Sequence, residues 1–369
     1  MTEEYKKLDY LDSMRGIAIL LVVLGHVGNM IGYLTYDYFP AFLQKFIYNG
    51  HLGVQMFFIV SAFTLMMSYE NRRGETLATK KFFIRRFFRI APMYYLAIIF
   101  TALQMIDFDF ANFDWHTFHK KAFVTNVLFV NALSPSTINN FVIGGWSISV
   151  EFIFYLILPL ICAKIRSLNG FVTFTVLTLL LSSLLLYLLR GTSVDGNEFL
   201  RYYFFNHLPV FGLGMTAYWI NKEGINMLKP KVLLLLSITV FIYCFIEIPE
   251  AIPYSLVYFL ILLTQSRKVY TLLSNKALVA IGKVSFSIYL VHFAVMYLMY
   301  RWDLVKYFTD ISGGAAACLN FILLFLVLSI VSYAISYITY KYIEQKGQNI
   351  GRSIIKKIDI KYNQNNLEK

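Results

Sequence analysis

Long uninterrupted apolar runs set the terms for this sequence. Blocks of roughly 18 or more apolar residues recur between charged or turn-rich breaks, the length a helix needs to cross a bilayer. They fall at about 14–34, 51–69, 86–106, 144–162, 171–189, 202–220, 231–247, 251–265, 283–300 and 315–343. Soluble domains carry about 45–50% apolar and about 25% charged residues. Here the hydrophobic set makes up 58% and charged residues 15%, an excess that no single soluble core absorbs. With 34 Phe and 27 Tyr, a disordered polymer is excluded as well. The expected fold is all-α: a polytopic membrane helix bundle of about ten transmembrane helices over residues 1–350, followed by a short polar cytoplasmic tail at 351–369.

The net charge of +12 invites a nucleic-acid reading until its distribution is examined. If both termini are cytoplasmic, inner segments and inner span ends hold 26 of the 33 Lys and Arg, against seven outside: Lys45, Lys120, Lys121, Arg190, Arg201, Arg301 and Lys306. That asymmetry is the positive-inside pattern, and it accounts for the basic balance without a polyanionic partner. The first block carries Arg15 and His26 with no small-residue cleavage site after it, so it reads as a retained span and not a signal peptide. Cys162, Cys244 and Cys318 lie far apart in apolar surroundings, which points to neither disulfide nor zinc.

Ionisable residues inside spans are costly and mark function by default. In span one, Arg15 and His26 stand eleven residues apart, which on a helix returns to within about 20° of the same face with a rise of about 16 Å. Both then look into one cavity. The arginine is permanently charged and forked for phosphate, while a neutral imidazole can take a proton. At span three, Lys80-Lys81-Phe-Phe-Ile-Arg85-Arg86-Phe-Phe-Arg89 places Arg85, Arg86 and Arg89 at i,i+3 and i,i+4 spacings, so that at least two guanidinium groups can converge on an anion. Span four opens with Trp146, suited to an interfacial anchor, and sets Ser147, Glu151 and Tyr155 on one stripe. A glutamate inside the apolar block must be protonated, paired or facing water. It is placed to orient His26 or an acceptor hydroxyl.

Weaker signals complete the set. Ser61 in span two is placed to bond into the cavity, and span nine carries a further intramembrane histidine, His292, three residues after Tyr289. The outer segment 107–143 is partly apolar over Ala122–Leu133 and reads as a lid or acceptor surface dipping back toward the membrane. Its Asp107, Asp109, Asp114, Trp115, His116 and His119 lack a diagnostic third-ligand spacing for zinc, so the loop is read as solvated or sugar-facing, and no metal is expected.

Five pieces in fixed order carry a resemblance. They are Leu-Asp-Ser-Met-Arg15-Gly-Ile-Ala…His26, Gly53-Val-Gln-Met-Phe-Phe-Ile-Val-Ser61-Ala-Phe, Arg86-Phe-Phe-Arg89-Ile-Ala-Pro92, Trp146-Ser-Ile-Ser-Val-Glu151-Phe-Ile-Phe-Tyr155, and Gly282-Lys-Val-Ser-Phe-Ser-Ile-Tyr289-Leu-Val-His292. The set resembles the acyltransferase-3 family of integral membrane O-acyltransferases across nearly the whole chain. The resemblance implies ten spans and transfer of an acyl group, usually acetyl from acetyl-CoA, to envelope carbohydrate. Arg15 and His26 match its Arg-(ten residues)-His element, and Arg86 and Arg89 its Arg-x-x-Arg element. Departures are local: Ser13 and Ala62 replace common glycines, Gln55 a frequent acidic residue, and Gln345 a frequent proline.

The resulting expectation is a multi-pass enzyme of the cytoplasmic membrane. Arg15, Arg85, Arg86 and Arg89 would hold the phosphates of acetyl-CoA, and His26 would act as base or acyl carrier, assisted by Glu151, Tyr155 and Ser61. Trp146, Ser147, Tyr289 and His292 would contact an envelope polysaccharide or lipid-linked glycan. Direct transfer and an acyl-histidine intermediate fit these residues equally. The rival class is an exporter of polysaccharide or small molecules, which builds its path from the same intramembrane His, Glu and Arg.

Overall fold

The computed structural model describes residues 9–106, 119–194, 198–225, 228–247, 251–309 and 313–367. Among them every regular element is helical: α1 (Asp9–Thr35), α2 (Ala41–Tyr48), α3 (Gly53–Asn71), α4 (Ala78–Met105), α5 (Lys120–Val127), α6 (Gly145–Lys164), α7 (Leu168–Leu189), α8 (Glu198–Tyr202), α9 (Phe204–Lys222), α10 (Pro230–Glu247), α11 (Ala251–Arg267), α12 (Lys276–Lys283), α13 (Ser285–Arg301), α14 (Gly314–Thr339) and α15 (Gln345–Leu367). Each apolar block of the sequence overlaps one or more of these helices. By length and composition, six helical stretches among the described residues can cross a membrane, or seven if the bent pair α12 and α13 is one span. Apolar side chains left uncovered agree with that reading. Leu177, Leu180, Leu184 and Tyr187 of α7 are all more than half exposed, an arrangement that water does not tolerate and lipid does.

The chain separates into two compact units. The first comprises Met1–Thr64, Ser167–Val176 and Pro209–Ser336, and the second Leu65–Arg166, Leu177–Leu208 and Tyr337–Lys369.

In the first unit α1 is the central wall, and glycines let other segments reach its backbone. A Cβ at Gly282 would overlap the Asp12 carbonyl, and one at Gly16 the Leu278 carbonyl, so α12 crosses the start of α1 with no side chain between them. Small residues at such crossings are what membrane helices use to pack closely. Asn275 caps α12, its side chain accepting from the Leu278 N–H at 3.0 Å. The chain then turns by 74° at Val284 into α13. Gly50 and Gly25 make the second close approach, bringing the 3₁₀ turn Asn49–Leu52 against the middle of α1. Span two therefore begins earlier than its hydropathy indicates, with Ala41–Asn71 forming one stretch of 31 residues.

In the second unit α4 and α6 are tied through the α5 segment. Tyr94 Oη donates to Asn126 Oδ1 at 2.6 Å, and Ser149 Oγ donates to the Phe129 carbonyl at 2.6 Å. The stretch Ala122–Leu133, read from sequence as dipping inward, has Ala122, Asn126, Asn131 and Ala132 buried. Residues 351–367, read as part of a polar tail, are helical. They continue α15, which packs on α4 with Gly347 against Pro92 and Gly351 against Phe88. Lys81, buried on α4, pairs there with Asp359.

Candidate functional site

The first unit gathers histidines. His26 lies on α1, its ring 5.2 Å from that of His292 with a 43° tilt, and edge-on to Phe293 at 4.7 Å. Among the described residues no hydrogen bond reaches the His26 ring nitrogens, so ring packing alone holds the imidazole. His292 on α13 is fully buried. Its Nδ1 donates to the Ile288 carbonyl at 3.0 Å, while its Nε2 is buried with no partner among the described residues. Tyr289, one turn back, packs at 5.9 Å from His292 and edge-on to Phe57 at 6.3 Å. Sequence reasoning named His26, Tyr289 and His292 separately, and the fold brings all three together.

A third imidazole was missed. His51 sits in the turn that Gly50 and Gly25 press onto α1, with its backbone nitrogen 2.9 Å from where a Gly25 Cβ would stand. Its Nδ1 donates to the Tyr48 carbonyl at 2.6 Å, and its ring lies within electrostatic reach of His26. The signal available was Gly25 directly before His26 and Gly50 directly before His51, two small residues marking a close crossing. Among the described residues no three His, Cys, Asp or Glu side chains are posed to hold a metal ion.

Arg15, eleven residues before His26, is tethered. Its Nη1 donates to Asp12 Oδ1 at 2.7 Å and its Nη2 to Thr64 Oγ1 at 3.2 Å, while Thr64 Oγ1 donates in turn to the Val60 carbonyl at 2.9 Å. Ser61 stands on the same helix one turn before Thr64, half-buried. Its carbonyl lies 3.0 Å from Thr64 Oγ1, a second acceptor for that hydroxyl.

The second unit builds a different kind of site. Arg86 on α4 donates through Nη2 to Ser68 Oγ at 3.2 Å, and its guanidinium lies 5.6 Å from the Phe82 ring centroid and 5.9 Å from that of Tyr155. Its Nε is buried with no partner among the described residues. Tyr155 Oη donates to Glu151 Oε1 at 2.6 Å. Arg85, Arg89 and Glu151 all act electrostatically on Arg86, so Glu151 and Tyr155 of α6 lie beside Arg86 of α4. Arg85 is also committed elsewhere, through a 2.9 Å ion pair with Glu75.

The sequence profile of the family described as an acyltransferase domain matches residues 8–341. The chain belongs to the acyltransferase-3 family. Its relatives agree in kind. A protein of Acidianus two-tailed virus that carries the provisional name of an acetyltransferase is 26% identical over 76% of this chain and 80% of its own length. The peptidoglycan O-acetyltransferase of Listeria monocytogenes is 24% identical over 42% of this chain and 24% of its own length. A provisionally named O-acetyltransferase of Staphylococcus aureus is 25% identical over 84% and 55%. The chain thus matches about a quarter of the Listeria relative and about half of the staphylococcal one. No solved structure matches it significantly.

Two expected residues of this acyltransferase-3 chain take places that spacing did not show. Trp146, read as an interfacial anchor, is 7% exposed. It is stacked between Tyr202 at 4.4 Å and His207 at 5.1 Å, so it packs within protein instead of facing headgroups. Ser147 donates to the Gly144 carbonyl at 2.9 Å, closing the first turn of α6. Asp107, Asp109, Asp114, Trp115 and His116 lie outside the described residues.

Proposed function

We propose that this acyltransferase is a multi-pass O-acetyltransferase of the cell membrane, with ten spans and both ends cytoplasmic. It moves acetyl from cytoplasmic acetyl-CoA to a hydroxyl of an envelope carbohydrate. The observation that carries the reading is the His26 imidazole, set within an apolar helix and held by ring contacts, with no hydrogen bond to its nitrogens among the described residues. The ring is half-buried, and an intramembrane imidazole left open suits a group that must meet a substrate.

In this mechanism the acceptor hydroxyl gives its proton to His26 as its oxygen attacks the thioester carbonyl. Holding donor and acceptor in register supplies much of the acceleration. The CoA phosphates need guanidinium groups with unused donors. Arg86 Nε, buried and unpartnered, fits that requirement, with Arg89 beside it and the Tyr155–Glu151 pair orienting the cluster. The names of the peptidoglycan O-acetyltransferase relatives support an envelope glycan as acceptor class.

Two measurements test the proposal against export. The purified protein is expected to melt at higher temperature when CoA is added, as any ligand of the native state requires. NMR of envelope polymer from a deletion strain is expected to lack O-acetyl signals on one glycan. An unchanged melting curve together with unchanged acetylation would overturn it in favour of a transport role.

A further inference from the structure

Two imidazoles meet in the first unit, and the reaction above gives a chemical part to one of them. His292 has its Nδ1 hydrogen committed to the Ile288 carbonyl at 3.0 Å. Its Nε2 is therefore an acceptor, and it is buried and empty among the described residues. Leaving such a group unsatisfied costs about 1–3 kcal/mol, and a native structure that keeps one calls for an explanation. Three rings lie beside the His292 ring. Phe293, at 4.0 Å, has no donor. Tyr289 is turned edge-on to Phe57 and Phe293. His26, at 5.2 Å, presents N–H groups whose number changes during the proposed reaction.

We infer that His292 is a positioning residue for His26: its Nε2 accepts the N–H of the His26 nitrogen that does not touch the acceptor hydroxyl. The inference rests on the proposed function. In the transfer step the acceptor O–H bond breaks and its proton passes to the bare His26 nitrogen. The oxygen bonds to the acetyl carbon, the carbon–sulfur bond breaks, and its electron pair leaves on the CoA sulfur. The thiolate then takes the proton back from His26. Between these events His26 carries two N–H groups, and a fixed acceptor on the second one holds the ring and its charge. The Asp of a Ser-His-Asp triad serves its histidine in the same way, although here the partner is neutral. The rings lie tilted in the substrate-free structure, as catalytic hydrogen bonds often do before the complex forms.

Four variants decide it, assayed with acetyl-CoA as donor and isolated envelope from a deletion strain as acceptor, reading CoA release. His292→Phe keeps an aromatic ring without an acceptor. His292→Gln keeps an acceptor near the Nε2 position, and His292→Asn places one near Nδ1 instead. Expected results are a fall in kcat of about 100-fold or more for His292→Phe with KM for acetyl-CoA unchanged, recovery of at least about tenfold by Gln, and none by Asn. His292→Phe within twofold of wild type overturns the inference. So does an equal loss in all three His292 variants at normal membrane level and melting temperature, because that marks a packing role. His26→Ala, run alongside, separates the two readings. Retained transfer there removes the proposed function itself, whereas an inactive His26→Ala beside an active His292→Phe removes the positioning role alone.

Discussion

His26 and Arg86 are both polar groups set in apolar helices, and the fold treats them in opposite ways. The imidazole in the first unit is held by ring faces and edges, with no hydrogen bond to its nitrogens among the described residues. The guanidinium in the second unit is enclosed by Ser68, Phe82, Tyr155 and further charges, with Nε buried and without a partner among the described residues. A group whose protonation must change needs a free nitrogen and a mobile proton. A group that must hold an anion needs a fixed charge and a fixed direction. The contrast supports chemistry at His26 and binding at Arg86, and it can be broken by substitutions that keep shape and change one property at a time.

The largest effect is expected at His26. His26→Ala should lower acetyl transfer by about 10²–10⁴-fold, the usual contribution of a positioned general base, while the protein remains in membranes at normal level. Transfer within tenfold of wild type would erase the contrast. Arg86→Ala should act mainly on binding, raising KM for acetyl-CoA by roughly 10–100-fold, in line with about 1.5–3 kcal/mol for hydrogen bonds to a charged group. Arg86→Lys sharpens the point. It keeps the cation and loses the forked donors, so an intermediate KM is expected, and a wild-type KM would show that Nε is not used. Tyr155→Phe removes only the 2.6 Å bond to Glu151, and KM should rise by no more than about tenfold for a net loss near 1 kcal/mol. Arg85→Ala should change KM least, about twofold or less, because Arg85 already pairs with Glu75 at a partly exposed position where such pairs contribute little. A larger rise there would place Arg85 with the donor instead.

Much of this arrangement is readable from sequence because it is local. The apolar blocks fall on helices because a bilayer leaves the backbone few alternatives. The i,i+4 bond from Tyr155 to Glu151 follows directly from helical spacing. What spacing cannot show is contact between distant segments. His26 and His292 meet because Gly16 and Gly282 let α12 lie on α1 and because the chain turns sharply at Val284, which fixes where α13 begins. Nothing in either local sequence states that outcome. His51 was passed over because a residue at the mouth of an apolar block reads as a loop, whereas Gly50 against Gly25 seats it beside the first helix. Trp146 misled for a related reason. A tryptophan at a span end suits a headgroup anchor, but Tyr202 and His207, which enclose it, come from a later segment. The continuation of α15 to Leu367 escaped notice because its composition is polar, and its hold on α4 depends on Gly347, Gly351 and the Lys81–Asp359 pair.

The most direct test of the division between chemistry and binding is made on one preparation of purified His26→Ala protein, measuring CoA affinity by calorimetry and acetyl transfer from acetyl-CoA on the same sample. The expected result is CoA affinity within about twofold of wild type with transfer reduced to background. Transfer near the wild-type rate, or CoA affinity lost along with it, would contradict the account.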